Sequence, residues 1–189
     1  DKATGQWLQK PLRGSSGAGI CLIKSEAARC RSDDHYYQRF LEGTSQSGVF
    51  LASATSATLI GVTEQWIGVP WLNARPFGYA GSLGPIPLTV NAQRTWQQIG
   101  DVLQKCFGLR GIFGVDAVVR HDVIHVIEVN PRFPASAEIL DLAGDGRLMQ
   151  KHVQVCAGSD FGIAMGPSTN PPAMSYGKAI YFAPHDLIV

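Results

Sequence analysis

The apolar positions of this chain change period several times, and the changes mark its elements. Residues 6–10 (Gln-Trp-Leu-Gln-Lys) read as a short strand stopped at Pro11, and Ile20 to Ile23 resume an apolar strand after a glycine-rich loop with no room for a helix. His35 to Leu41 is aromatic and apolar, hence strand-like, and Glu42-Gly43 ends it. Val49 to Ala54 and Ala57 to Thr63 are two further strands around a turn of small residues. Residues 67–88, with Pro70, Pro76, Pro85 and Pro87 among Gly68, Gly78, Gly81 and Gly84, hold no period and read as one long irregular loop. Over 91–107 the period becomes helical: Trp96, Ile99, Val102, Leu103, Cys106 and Phe107 form one stripe, with Asn91 as N-cap and Gly108 as stop. Strands return at 111–120 and 123–129 around His121-Asp122, a hairpin signal. Helices follow at 136–143 and 147–157 around Gly144-Asp145-Gly146, and Gly177 to Phe182 reads as a last strand. Residues 24–32 form a mixed polar connection and 158–176 a Gly/Pro/Ser-rich linker. This order predicts an α+β fold and not a regular βαβ alternation.

Composition narrows the classes. The chain has 189 residues, enough for one ordinary domain or two small lobes, and 45% of them are hydrophobic. With 16 Lys+Arg against 15 Asp+Glu, the net charge of +1 gives no case for nucleic acid, which calls for a basic surface. No apolar run is long enough to span a membrane. Cys21, Cys30, Cys106 and Cys156 lie far apart without a Cys-x-x-Cys pair, so reduced thiols in a cytoplasmic protein are expected, and neither a zinc site nor a disulfide framework. The unusual figure is 21 Gly.

Chemistry concentrates in the hairpin that runs from Gly114 to Arg132. Residues two apart on a strand share a face, so Glu128 and Asn130 point the same way. Carboxylate and amide oxygens converging on one face suit Mg²⁺ completed by phosphates. Asp116 joins them only if it pairs with Glu128, which demands a three-residue turn His121-Asp122-Val123 or a β-bulge; a plain two-residue turn would send it to the other face. His125 is expected to face away from Glu128. Arg132 adds a planar fork donor suited to phosphate or carboxylate. The bland alternative is an amphipathic hairpin whose acids face water. The second constellation is Lys10 followed by Gly14-Ser15-Ser16-Gly17-Ala18-Gly19. It fits neither the Walker pattern nor the dinucleotide fingerprint, but its backbone N–H groups could cradle phosphate; an exposed hairpin tip is the alternative. The third is Gln38-Arg39-Phe40-Leu41-Glu42-Gly43, by itself only a strand with an end.

Taken in order, these three segments resemble the ATP-grasp superfamily: Lys-Pro with a glycine loop, a segment ending Glu-Gly, and a hairpin ending Glu-x-Asn-Pro-Arg, over roughly residues 6–157. The resemblance implies two α+β subdomains with antiparallel sheets gripping ATP between them, the N-terminal part of the fold being missing here. It implies that Lys10 contacts the phosphates and that Gly14, Ser15, Ser16 and Gly17 close over them. Gln38, Arg39, Phe40 and Leu41 would read adenine. Asp116, Glu128 and Asn130 would hold Mg²⁺, or Mn²⁺ in its place, and Arg132 would stabilise charge on the transferred phosphoryl group. Where many relatives carry an acidic ribose ligand, this chain has Thr44, Ser45 and Gln46. The implied activity is an ATP-dependent ligase that activates a small carboxylate as an acyl phosphate for attack by an amine, with residues 67–88 as a cover and a homodimer as a further expectation. The alternatives are a non-catalytic Mg-ATP-binding module, an inactive fragment of such a ligase, or an interaction domain. Three segments are expected: 1–63 with the glycine loop and hinge, 64–157 with the metal site, and 158–189 as linker and final strand.

Overall fold

The computed structural model describes residues 6–23, 33–158 and 174–185. The polar connection expected over 24–32 and most of the 158–176 linker lie outside them. The chain forms two compact units: Asp1–Gly43, Trp66–Ala80 and Ile180–Val189 make the first, Thr44–Gln65 and Gly81–Ala179 the second. This differs from the expected division at residue 63, because residues 44–65 are hydrogen-bonded into the sheet that carries the 111–130 hairpin.

In unit one, β1 (Trp7–Pro11) lies between β2 (Cys21–Ile23) and β3 (His35–Arg39) in an antiparallel sheet of order β2-β1-β3. The expected strand to Leu41 thus ends at Arg39. Residues 67–88 are less irregular than their prolines and glycines imply. They contain a 3₁₀ turn at Pro70–Leu72 and the strand β6 (Tyr79–Gly84), whose backbone pairing holds it extended despite its glycines.

Unit two is built on the sheet β8-β7-β4-β5-β6-β9, with β4 at Thr44–Ala52, β5 at Ala57–Ile67, β7 at Gly111–Arg120, β8 at Val123–Asn130 and β9 at Tyr176–Ala179. β4 begins before its expected start at Val49 and β5 runs past Thr63, because their polar ends continue the ladder without being apolar. One face is covered by α1 (Val90–Phe107), where Trp96 packs on Phe50 and Phe50 stacks on Phe113 with ring centroids 5.0 Å apart. Gly100 permits that approach, since a Cβ there would lie 2.5 Å from the Phe50 ring. The opposite face carries α2 (Ser136–Ala143) and α3 (Leu148–Cys156) over Val49, Leu51 and Ile112.

The α1 cap is Thr89 and not Asn91: the Thr89 hydroxyl oxygen accepts from the Ala92 N–H at 3.1 Å, while Gly108 closes the helix in the left-handed region as expected. The apolar stripe of α1 is also narrower than its spacing implies. Trp96 is buried, but Val102 is 59% and Phe107 71% exposed, on the flank turned away from the sheet. No helix among the described residues is long and apolar enough to cross a membrane. Cys21, Cys106 and Cys156 are exposed and unbridged. Cys30 lies outside the described residues.

Candidate functional site

The hairpin β7–β8 resolves the register question by a bulge. Arg120 pairs with Val123 across the tight turn His121-Asp122, both of whose residues have positive φ (48° and 61°) as a type I′ turn requires. Pairing continues to Ala117 with Val126, then slips, so that Asp116 stands opposite Glu128 and Ile127 is the extra residue. Asp116 and Glu128 therefore share a face. Gly114 pairs with Asn130, which puts Asn130 on that face too. The same bulge overturns the expectation for His125. It pairs with Val118, two residues from Asp116, and so lies on the Glu128 face and not the opposite one.

Asp116 is half-buried and well supplied with donors. Gln65 Nε2 donates to Asp116 Oδ1 at 3.1 Å, and Asn130 Nδ2 donates to Asp116 Oδ2 at 3.0 Å. Ser47, its direct partner across β4–β7, also hydrogen-bonds to it. Arg132 Nη2 donates to Asn130 Oδ1 at 3.2 Å. Burial pushes the Asp116 carboxyl above its ordinary value, and the hydrogen bonds from Ser47, Asn130 and Gln65 with the nearby Arg132 charge only partly offset it. Ser47, fully buried, shares a hydrogen bond of 3.1 Å with Ser136 at the start of α2, the helix that follows the Asn-Pro-Arg turn. The hairpin end is thus tied to both β4 and α2.

The donor set fits a hard cation. Asp116 and Glu128 offer carboxylate oxygens and Asn130 an amide oxygen, on one face of one hairpin. Among the described residues no group of three or more His, Cys, Asp or Glu could hold a metal ion unaided. Ions of the Mg²⁺ class are commonly held in this way, by one or two carboxylates with water and substrate phosphates.

In unit one, Lys10 is buried and its Nζ donates to Gln38 Oε1 at 3.2 Å, 5.5 Å from the Tyr36 ring centroid. Lys10 and Gln38 share a face, because Lys10 pairs with Tyr36 and Leu8 with Gln38. Arg39 falls on the other face. The Phe40 N–H donates to the Gln6 carbonyl at 2.9 Å, and the Phe40 ring meets Phe77 edge-on at 6.3 Å. Leu41 follows the strand. In the glycine loop, Gly14 packs against Pro11, Ser15 accepts at its carbonyl from the Ala18 N–H, and Ser16 has φ 53°. Gly17 has φ 77°, and a Cβ there would fall 1.8 Å from the Phe77 carbonyl oxygen. Glycine loop and hinge segment thus meet at Phe77, which lies in the stretch read from sequence as a cover.

Nothing in the sequence singles out Ser47, Gln65 or Ser136 as site residues. Their only signal was polarity at the ends of apolar runs, which turns and caps share.

Known proteins resemble this chain in sequence and fold. The formate-dependent phosphoribosylglycinamide formyltransferase of Burkholderia vietnamiensis (strain G4 / LMG 22486) is 25% identical over 181 residues, covering 88% of this chain and 43% of that protein. The protein of the same name from Burkholderia thailandensis is 26% identical with the same coverage. The chain therefore spans less than half the length of these curated relatives. Among solved structures, the biotin carboxylase domain of 2-oxoglutarate carboxylase from Hydrogenobacter thermophilus, in complex with MgADP, ADP and bicarbonate, superposes with TM-score 0.73 at 12% identity over 92% of this chain and 40% of that one. Biotin carboxylase from Campylobacter jejuni, as a β,γ-ATP complex, gives TM-score 0.67 at 12% identity over 86% and 38%. At such identities the likeness is one of fold. The ATP-grasp domain family itself matches residues 1–136, well over half of the sequence, and the chain belongs to the ATP-grasp family.

Proposed function

We propose that this chain is the nucleotide-binding portion of an ATP-dependent ligase that activates a small carboxylate as an acyl phosphate for attack by an amine. The observation that carries the reading is the hairpin end, where Asp116, Glu128 and Asn130 share a face with Arg132 hydrogen-bonded to Asn130. Phosphoryl transfer asks little covalent chemistry of a protein and much positioning and charge stabilisation. In this reading Lys10 and Gly14–Gly17 hold the phosphates, and Gln38–Leu41 face the adenine. Asp116, Glu128 and Asn130 hold Mg²⁺, which when bound neutralises charge on the phosphate oxygens. The substrate carboxylate oxygen attacks the γ-phosphorus and ADP leaves. The amine then attacks the acyl carbon and releases phosphate. Arg132, a rigid fork of donors at the strand end, steadies the charge that develops on the transferred group.

Trapping with hydroxylamine tests this. Incubated with Mg-ATP and a panel of carboxylic acids, the protein should release ADP only with its cognate acid and form the matching hydroxamate. Mg-ATP binding without acid-stimulated ADP release from any acid would reduce the chain to a nucleotide-binding module.

A further inference from the structure

Asp116 is oriented by a residue outside its own hairpin. Gln65 sits near the end of β5, separated from β7 by β4, and its side chain crosses the face above Ser47 to reach Asp116 Oδ1 at 3.1 Å. The crossing is possible because Ser47, which pairs with both Asp116 and Thr63, is small and turns its hydroxyl to Ser136 and Asp116. A carboxylate oxygen has more than one lone-pair direction. Gln65 takes one on Oδ1, Asn130 one on Oδ2 and Ser47 a third, which fixes the plane of the carboxylate and leaves the remaining direction for a cation. With its Nδ2 tied to Asp116, Asn130 turns its Oδ1 toward Arg132. The bonds thus run in series: Gln65 to Asp116, Asn130 to Asp116, Arg132 to Asn130.

We propose that Gln65 is a positioning residue of the metal site, whose amide holds the Asp116 carboxylate, and through it the Asn130 amide, in the orientation that receives the cation. The inference rests on the Mg-nucleotide reading above. A group that orients a ligand typically costs about ten- to a hundred-fold in metal affinity when removed. Gln65→Leu removes the donor at similar volume, and Gln65→Asn keeps an amide but draws it back by one methylene, out of reach of Asp116.

The test is Mn²⁺ titration of the full chain in the presence of ATP, followed by loss of the free-ion EPR signal. Glu128→Gln serves as the ligand control, and ATP affinity in EDTA and the thermal midpoint are measured alongside. Mn²⁺ binding should weaken at least about ten-fold in both Gln65 variants, with metal-free ATP affinity unchanged and a cooperative melt retained. Wild-type Mn²⁺ affinity in either folded variant, while Glu128→Gln loses it, overturns the role of Gln65 and leaves the nucleotide reading standing. Absence of Mn²⁺ binding by the unaltered chain overturns the nucleotide reading itself, and this inference with it. Should Gln65→Leu not fold, Gln65→Asn carries the comparison.

Discussion

Asp116 is held in tension by its surroundings. Burial raises its carboxyl above the ordinary 3.8, against the pull of its hydrogen-bond donors and Arg132. The folded state therefore binds the proton more tightly than the unfolded chain. Between 3.8 and the raised value, stability falls as pH rises, and above that window the buried charge is a constant cost. In EDTA, thermal melts of the unaltered chain should fall as pH rises through that window, and Asp116→Asn, which carries no titrating group there, should lose that part of the pH dependence. The same substitution should abolish metal affinity, a site paid for in stability. At this scale the sequence was informative about Asp116, Glu128, Asn130 and Arg132, because acid, amide and guanidinium at strand spacing are visible one residue at a time. Gln65 and Ser47 were hidden, since their importance lies in Asp116, two strands away from the one and on the neighbouring strand to the other.

At the scale of elements, pattern and pairing divide the work. The hairpin 111–130 and helix α1 were legible, because period 2 and period 3.6 are strong there. The β7–β8 bulge was legible only as one of two ways to bring Asp116 opposite Glu128, and the choice between them depended on turn geometry at His121-Asp122. Strand β6 was missed because its backbone pairs with β9, a partner no local pattern announces. The glycine loop was found by composition, but its support was not: Gly17 lies against the Phe77 backbone, and no feature of the sequence links those residues. Gly17→Ala would place a side chain in the left-handed region and drive a Cβ into the Phe77 carbonyl. It should destabilise the fold by about 1–3 kcal/mol in denaturant unfolding and weaken nucleotide affinity. Unchanged stability would mean that the loop does not need this approach.

At the scale of the molecule, the fold is α+β with antiparallel sheets, as the order of elements predicted, and it is shared with biotin carboxylases at 12% identity. The grouping into units was not legible. A linear reading cuts the chain at composition changes, whereas β4 and β5 join the hairpin through hydrogen bonds made at long sequence separation. The candidate site depends on that long-range pairing, which gives Asp116 its Ser47 and Gln65 contacts. The central claim is that this chain binds Mg-ATP through the face shared by Asp116, Glu128 and Asn130. Calorimetric titration of Mg-ATP into the unaltered chain and into Glu128→Gln tests it most directly. Binding by the unaltered chain should be saturable, weakened at least about ten-fold by the substitution, and likewise lost when Mg²⁺ is chelated. No binding by the unaltered chain, or equal binding by the two, would contradict it.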